Sequence, residues 1–570
     1  MDQKNLLVAI VLSVAILFGF QYVIGRFLPP APPAKTTPVQ TPPAAPGATT
    51  PGATAPEAGA PPPGAPPAES RETAIADPAR VKIDTPRLHG SIALVGGRID
   101  DLTLANYHDT VGPKSPEVVL LWPTGTADPY FATFGWVETA PGVKLPDAQT
   151  KWTPSGGPLA PGHPVTLSWD NGEGLTFTRA FAIDENYMFT VEDAVKNSGS
   201  ASVSLMPYGV VSRTGTPRVS GYYILYEGPI GFLDGGLQEV KYASLTPEKP
   251  GEFNSTGGWL GFTDKYWLTA LIPPQDATIK AKFRHTVENG VDRYQADYLG
   301  APLTVPVGGT ASISTRLFAG AKEVKLLDAY ANSGVPRFDR AIDFGWFYFL
   351  TKPIFLVLVF FHGLLGNFGL AILLLTFLIK LAFFPLANKS YGAMSKMKLM
   401  QPETVKIRER FPDDKAKQQQ EIMALYKKVG ANPLAGCLPI VIQIPVFFSL
   451  YKVLFVTIEM RQAPFFGWIH DLSAPDPTSF ANLFGLIPFT PPSILMIGAW
   501  PLLMGVTMFL QQKLNPQPVD PIQAKMFMAL PIVFTYMLSA FPAGLVIYWT
   551  WNNLLSIAQQ WAIMHRQGAA

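Results

Sequence analysis

Apolar runs dominate the chain beyond about residue 344, and one of them, LLLTFLIKLAFFPL at residues 373–386, encloses a lysine, Lys380. A run of this kind belongs in a bilayer or a large core. A lysine at mid-membrane costs ~2.5–3.5 kcal/mol unless its ammonium reaches water, a partner or the interface. Whatever the chain folds into must therefore keep Lys380 hydrated. Snorkelling is one route, because Lys389 marks the end of the run roughly 13 Å further along a helix, and a lysine stem covers part of that distance. A polar cavity within a helix bundle is the other.

The neighbouring runs set the expected architecture. Residues 353–386 are too long for one span of ~20 residues, and His362, Gly363, Gly366 and Asn367 interrupt them. Residues 344–366, rich in aromatics such as Trp346 and Tyr348, suit an interfacial amphipathic helix. Spans are expected at about 368–387, 434–456, 494–511, 526–541 and 545–563, with Pro433 after Asn432 as a helix start and Pro542, Ala543 and Gly544 as a tight turn. Residues 480–492 are apolar but punctuated by proline, and read as re-entrant or interfacial. At the N-terminus the apolar run 6–24 follows Lys4 without a nearby cleavage pattern, so residues 1–25 read as an uncleaved signal anchor, a cleaved signal peptide being the alternative. Six spans result. The loop 388–432 holds ten Lys and Arg residues, whereas 457–480 has only Arg461. The positive-inside rule then puts 388–432 and both termini in the cytoplasm.

Residues 26–80 are dominated by Pro, Ala, Thr and Gly, a composition of solvated, disordered linker. From 81 to about 335 the pattern becomes short alternating segments. Val165, Leu167 and Trp169 alternate, Asp170, Asn171 and Gly172 make a turn, and Leu175, Phe177, Phe181 and Ile183 alternate again, followed by Phe189, Val191 and Val195. This predicts one large antiparallel β-sandwich on the outer side. The fold class is thus a multi-domain membrane protein: an α-helical transmembrane core, an all-β domain, and a basic helical hairpin at 388–432.

Enzyme signatures are missing. No HExxH, GxxxxGK, GxSxG or GxGxxG pattern occurs, and Cys437 is the only cysteine, so the sequence offers no catalytic residue, metal site or cofactor. The net charge of +2 argues against a general nucleic-acid binder. What recurs instead is polar residues inside the spans: Thr376 one turn before Lys380, then Gln443, Thr507, Gln511, Thr535, Ser539, Asn552, Asn553 and Ser556. Singly, each is an ordinary interhelical hydrogen bond. Together with one cation, and with no Asp or Glu in the proposed spans, they suggest a wet cavity with Lys380 in it; Glu459 falls at the outer edge. In the basic loop, Phe411, Pro412, Asp413 and Asp414 divide two helices, and Ile422, Leu425, Tyr426 and Val429 share one face. Met394, Met397 and Met400 form a polarisable strip suited to varied apolar segments, beside Lys396, Lys398, Arg408 and Arg410. Packing against the other half of the hairpin is the alternative for the methionines, and attraction to anionic lipid for the charges.

Several long motifs then converge. GGWLGFTDKYWLTALIP at 257–273, DFGWFYFLTKPIF from Asp343, GNFGLAILLLTFLIK ending at Lys380, NPLAGCLPIVIQIPVFFSLY from Asn432, RQAPFFGWIHDLSAPDP from Arg461 and FPAGLVIYW from Phe541 closely resemble the YidC-type membrane protein insertases, in the large form of double-membraned bacteria. The resemblance implies an inner-membrane insertase and chaperone with a five-helix core, a first anchor span, a periplasmic β-supersandwich and a cytoplasmic hairpin. It implies nascent membrane proteins, the Sec translocon with its accessory subunits, the ribosome and the phospholipid bilayer as partners, and no small-molecule substrate. It also implies a second-span cation, commonly Arg, in a hydrophilic groove open to cytoplasm and lipid. Lys380 stands at that place, so the charge carries over and the fork geometry of Arg does not. The material at 480–500 is extra to the pattern. Two other classes remain at this stage: a polytopic solute or ion transporter with an intramembrane lysine, and a membrane-anchored periplasmic carbohydrate-binding protein.

Overall fold

The computed structural model describes residues 55–56, 69–219, 225–288, 290–412, 414–430, 438–515 and 521–566. The expected anchor at 1–25, most of the linker, the helix start at Asn432 and Pro433, and Cys437 lie outside the described residues. The chain divides into two compact units, one of residues 50–345 with 455–462 and one containing 346–454 and 463–570.

The first unit is all-β, built as its alternation dictates. Strand Leu175–Ile183 buries Leu175, Phe177, Phe181 and Ile183 on one face. Its hairpin with Val165–Asp170 pairs Val165 with Phe181 and Asp170 with Thr176. At the turn, Gly172 has φ +74°, a conformation that suits glycine, and its N–H donates to Asp170 Oδ1 at 2.7 Å. Among the described residues such strands assemble into two antiparallel sheets of ten and nine strands. The larger runs through Tyr130–Glu138, Val203–Thr214, Val291–Gly300 and Thr278–Glu288, and the smaller through Trp259–Thr263, Trp267–Ile272, Thr310–Ala321 and Met188–Asn197.

A buried arginine joins the two sheets. Arg179, on the smaller sheet, donates to Asp193 Oδ1 at 2.6 Å, to the Gly97 carbonyl at 2.8 Å, and to the carbonyl of Phe134 on the larger sheet. Both members of the pair are almost fully buried. Three acceptors for one guanidinium offset the heavy desolvation of burying it.

This unit is larger than its alternation suggested. Residues 69–80, expected as disordered linker, are ordered: Ser70 caps the short helix Arg71–Ile75, and Arg71 pairs with buried Asp101 at 2.6 Å. The carbonyls of Ala55 and Pro56 accept from Arg284 and Gln295. Composition predicted a solvated chain here, but a few specific polar contacts suffice to hold it. At the other end the unit runs past 335, because Phe338, Ala341, Ile342 and Phe344 are buried and Trp259 Nε1 donates to the Pro336 carbonyl at 3.0 Å.

The second unit is helical: α1 (Tyr348–Leu365), α2 (Phe368–Ala382), α3 (Phe384–Leu399), α4 (Gln401–Arg410), α5 (Lys415–Val429), α6 (Leu438–Val456), α7 (Ala499–Leu514), α8 (Pro521–Leu538) and α9 (Ala543–Arg566). Helix α9 is the hub, packed on α2, α3 and α7. Met504, Leu538 and Val546 bring α7, α8 and α9 together under Trp500, Phe534 and Trp549. Small residues permit the closest approaches, for a Cβ on Gly505 of α7 would lie 2.0 Å from Thr535 Oγ1 of α8.

The helices depart from the expected runs in identifiable ways. The span expected at 368–387 stops at Ala382, and α3 leaves at 68°. Pro385 lies in the first turn of α3, where its missing N–H is harmless and its ring opposes continuation of α2. The basic hairpin therefore begins inside the expected span. Helix α1 lacks the polar face of an amphipathic helix: Thr351, Ile354, Phe355 and Leu358 are buried while Phe349, Phe360 and Leu364 are exposed. Among the described helices, α1 alone is long and apolar enough to cross a membrane by itself, and α2 with α3 passes only as a bent pair. Helices α2 and α7, of 15 and 16 residues, measure roughly 22–24 Å, short of a hydrocarbon core of ~30 Å. The run expected from 494 becomes helical only at Ala499.

Candidate functional site

Lys380 sits in the last turn of α2, directly before the bend. Apart from Thr376, whose hydroxyl bonds the Ile372 carbonyl of its own helix, α2 is apolar, so the Lys380 ammonium must find polar atoms on a neighbour. It finds them on α9, where Lys380 Nζ donates to Ser556 Oγ at 2.8 Å. Ser556 in turn donates to the Asn552 carbonyl one turn earlier at 2.7 Å. No carboxylate pairs with Lys380 among the described residues.

These groups line a cavity of about 340 Å³ between α2, α3, α6, α7 and α9. Gln443 of α6 enters it and donates to Tyr548 Oη of α9 at 2.5 Å. Gln511 comes from α7, and Asn552 and Ser556 from α9. The Asn552 Oδ1 is buried and has no hydrogen-bond partner among the described residues. Phe383 and Ile444 on the lining are exposed to the outside, so the space is a groove. Phe447 and Trp549, with ring centroids 4.7 Å apart, add an apolar aromatic patch to the same lining.

The expected polar lining divides in two. Lys380, Gln443, Gln511, Asn552, Asn553 and Ser556 meet in the groove. Thr376, Thr507, Thr535 and Ser539 do not line it; each hydroxyl donates to a carbonyl of its own helix, those of Ile372, Met504, Pro531 and Tyr536. Thr507 also accepts from Asn553 at 3.2 Å, an interhelical bond between α7 and α9. A threonine in an apolar helix satisfies itself this way without any cavity, and composition does not separate the two cases. Tyr391, Tyr548 and Gln559 also line the groove and were not among the expected residues. Helical spacing offered a signal for two of them, because 548, 552, 556 and 559 recur at steps of four, four and three on one face of α9.

The basic hairpin has a mixed outcome. Ile422, Leu425, Tyr426 and Val429 are half-buried, as their spacing implies, and α4 packs on α5. Met394, read as part of a binding strip, is instead buried against Tyr391 and Ile563 with Met397 alongside, and Met400 is partly covered at the α3–α4 junction. The bend at Phe383 swings α3 back onto α9 and takes the strip with it. Lys396 and Arg410 remain exposed, and Lys398 and Arg408 are partly so.

Comparison with known proteins bears on both units. Residues 80–357 match the family described as the YidC periplasmic domain, and residues 360–569 the family described as 60Kd inner membrane protein. A protein of Bradyrhizobium diazoefficiens named membrane protein insertase YidC is 57% identical over 88% of this chain and 84% of its own length. One of the same name from Methylobacterium nodulans is 53% identical over 100% of this chain and 96% of its own. Among solved structures, a YidC insertase with its first transmembrane domain resolved aligns over 84% of this chain and 92% of its own, at 18% identity and a TM-score of 0.36.

Proposed function

The chain belongs to the YidC family of membrane protein insertases, and from that premise we propose that its groove receives the polar tail of a nascent inner-membrane protein while the following apolar segment passes into lipid. The observation that carries this reading is Lys380, a cation with a serine for a partner, in an open groove lined by Gln443, Gln511 and Asn552 and by the rings of Phe447 and Trp549.

The energetics require no nucleotide. A substrate segment of ~20 apolar residues gains roughly 0.3–0.6 kcal/mol per Leu, Ile, Phe or Val, about 6–12 kcal/mol in total. The barrier is the tail, since each Asp or Lys at the bilayer centre costs ~2.5–3.5 kcal/mol. Polar side chains from α6, α7 and α9 shorten the apolar path, and Lys380 attracts an acidic group. The equilibrium stays the substrate's own; only the rate changes. Six spans with both termini in the cytoplasm, the β unit in the periplasm and the α4–α5 hairpin in the cytoplasm complete the arrangement. The exposed Lys and Arg of that hairpin face the ribosome and anionic lipid, and substrates with several charges in one tail go through the Sec translocon with this chain beside it.

Trapping tests the reading. A photo-crosslinker replacing Ile444, on the groove rim, should capture a stalled nascent chain at its tail and first apolar residues. A crosslinker at Phe349, on the exposed side of α1, should not. Equal capture at both positions would refute a groove-specific path.

A further inference from the structure

Between Asp476 and Lys513 the chain has no Asp, Glu, Lys, Arg or His. The first part of this stretch, 477–498, is a loop closed at its base by polar contacts. Asp476 Oδ1 accepts from the N–H and hydroxyl of Thr478, and its Oδ2 from the Trp500 N–H in the first turn of α7 at 2.9 Å. Thr478 Oγ1 accepts from the Ala499 N–H at 3.0 Å, so two donors of the α7 N-terminus are satisfied by the loop. Gly498 is needed for this closure, because a Cβ there would lie 2.4 Å from Asp476 Cγ.

Beyond the base the loop turns its backbone inward. The Phe480 N–H donates to Ile497, that of Phe484 to Ser479 and that of Ile487 to Asn482. The Asn482 side chain accepts from the Gly485 N–H and donates to the Phe489 carbonyl. Pro488, Pro491 and Pro492 have no N–H to satisfy. The side chains point out: Leu486 is 84% exposed and Ile494 62%, with Leu483, Phe484, Ile487 and Phe489 exposed beside them. Leu483 and Phe484 hold φ of +51° and +58°, the left-handed region that favours glycine over residues with a side chain.

We propose that loop 477–498 inserts into the bilayer, lying at the boundary of headgroups and acyl chains in the leaflet where α7 begins. Three observations select lipid as its occupant. The loop has no charged rim of the kind that surrounds a docking site for a soluble protein. Many of its backbone donors are bonded internally, as hydrocarbon demands. The helix it leads into, α7, likewise leaves Leu503, Val506 and Leu510 exposed at helical spacing. The proposal rests on α7 being a membrane span, and its test separates the two.

Spin labels placed one at a time at Leu486, Ile494 and Leu503, in full-length protein carrying Cys437→Ser and reconstituted in phosphatidylethanolamine–phosphatidylglycerol nanodiscs, report collision with oxygen and with a water-soluble nickel chelate. Oxygen should exceed nickel at all three, the sign of burial in lipid. Nickel exceeding oxygen at Leu486 and Ile494 but not at Leu503 would overturn the loop and leave α7 standing; nickel exceeding at all three would overturn both. Labels at Leu486 and Ile494 shielded from both reagents would mean a protein cover, a second copy of the chain included, and would equally overturn it.

Discussion

Removing the charge at Lys380 should slow the insertion of acidic-tailed substrates selectively. The Nζ is held 2.8 Å from Ser556 Oγ, so a carboxylate entering the groove approaches to about 4 Å, where two unit charges attract by ~4 kcal/mol at an effective dielectric of ~20. Desolvation of the incoming carboxylate and the open rim reduce this to about 2 kcal/mol, or roughly 30-fold in rate. Lys380→Met should therefore insert a single-span substrate with one tail Asp about 30-fold more slowly in proteoliposomes, scored by protease protection. The same substrate with Asn in place of that Asp should lose less than about threefold, since it loses only polarity. Lys380→Glu should be worse for the acidic tail, replacing attraction with repulsion, and Lys380→Arg should restore it. The readout is the interaction between the two substitutions. Equal slowing of Asp and Asn tails, or no slowing of either, would remove the charge from the mechanism.

Three further outcomes follow from packing and charge. Burial pushes the Glu459 carboxyl up from 4.5 to about 7, its Oε2 having no partner while Oε1 accepts from the Val324 N–H. The native β unit then holds a proton that the unfolded chain has released, so stability should fall as pH rises from about 4.5 to 7 and be flat above; Glu459→Gln should remove that slope and stabilise at pH 8 by on the order of 3 kcal/mol in denaturant titrations. Arg179→Ala strands the buried Asp193 carboxylate and should cost about 3–5 kcal/mol, seen as an earlier loss of β signal on thermal unfolding. Gly505→Ala drives a methyl into Thr535 and should destabilise the α7–α8 pair by about 1–3 kcal/mol, measured by steric trapping in bilayers, with no preference between acidic and neutral substrates.

Features that depend on a residue and its near neighbours were legible in the sequence. The hairpin around Asn171, the half-buried face of α5 and the need of Lys380 for polar company all follow from local periodicity or from a transfer energy assigned to one side chain. So did the family motifs, which are contiguous. The tertiary structure alone decided which polar residues share a space. Gln443, Gln511, Asn552 and Ser556 come from three helices and reach one groove, whereas Thr376, Thr507, Thr535 and Ser539 close on their own helices. It also decided that the chain bends at Phe383 and packs Met394 away, and that Arg71 draws linker residues onto the β unit. Each of these turns on the approach of atoms distant along the chain, where a difference of one contact outweighs the propensity of a whole segment.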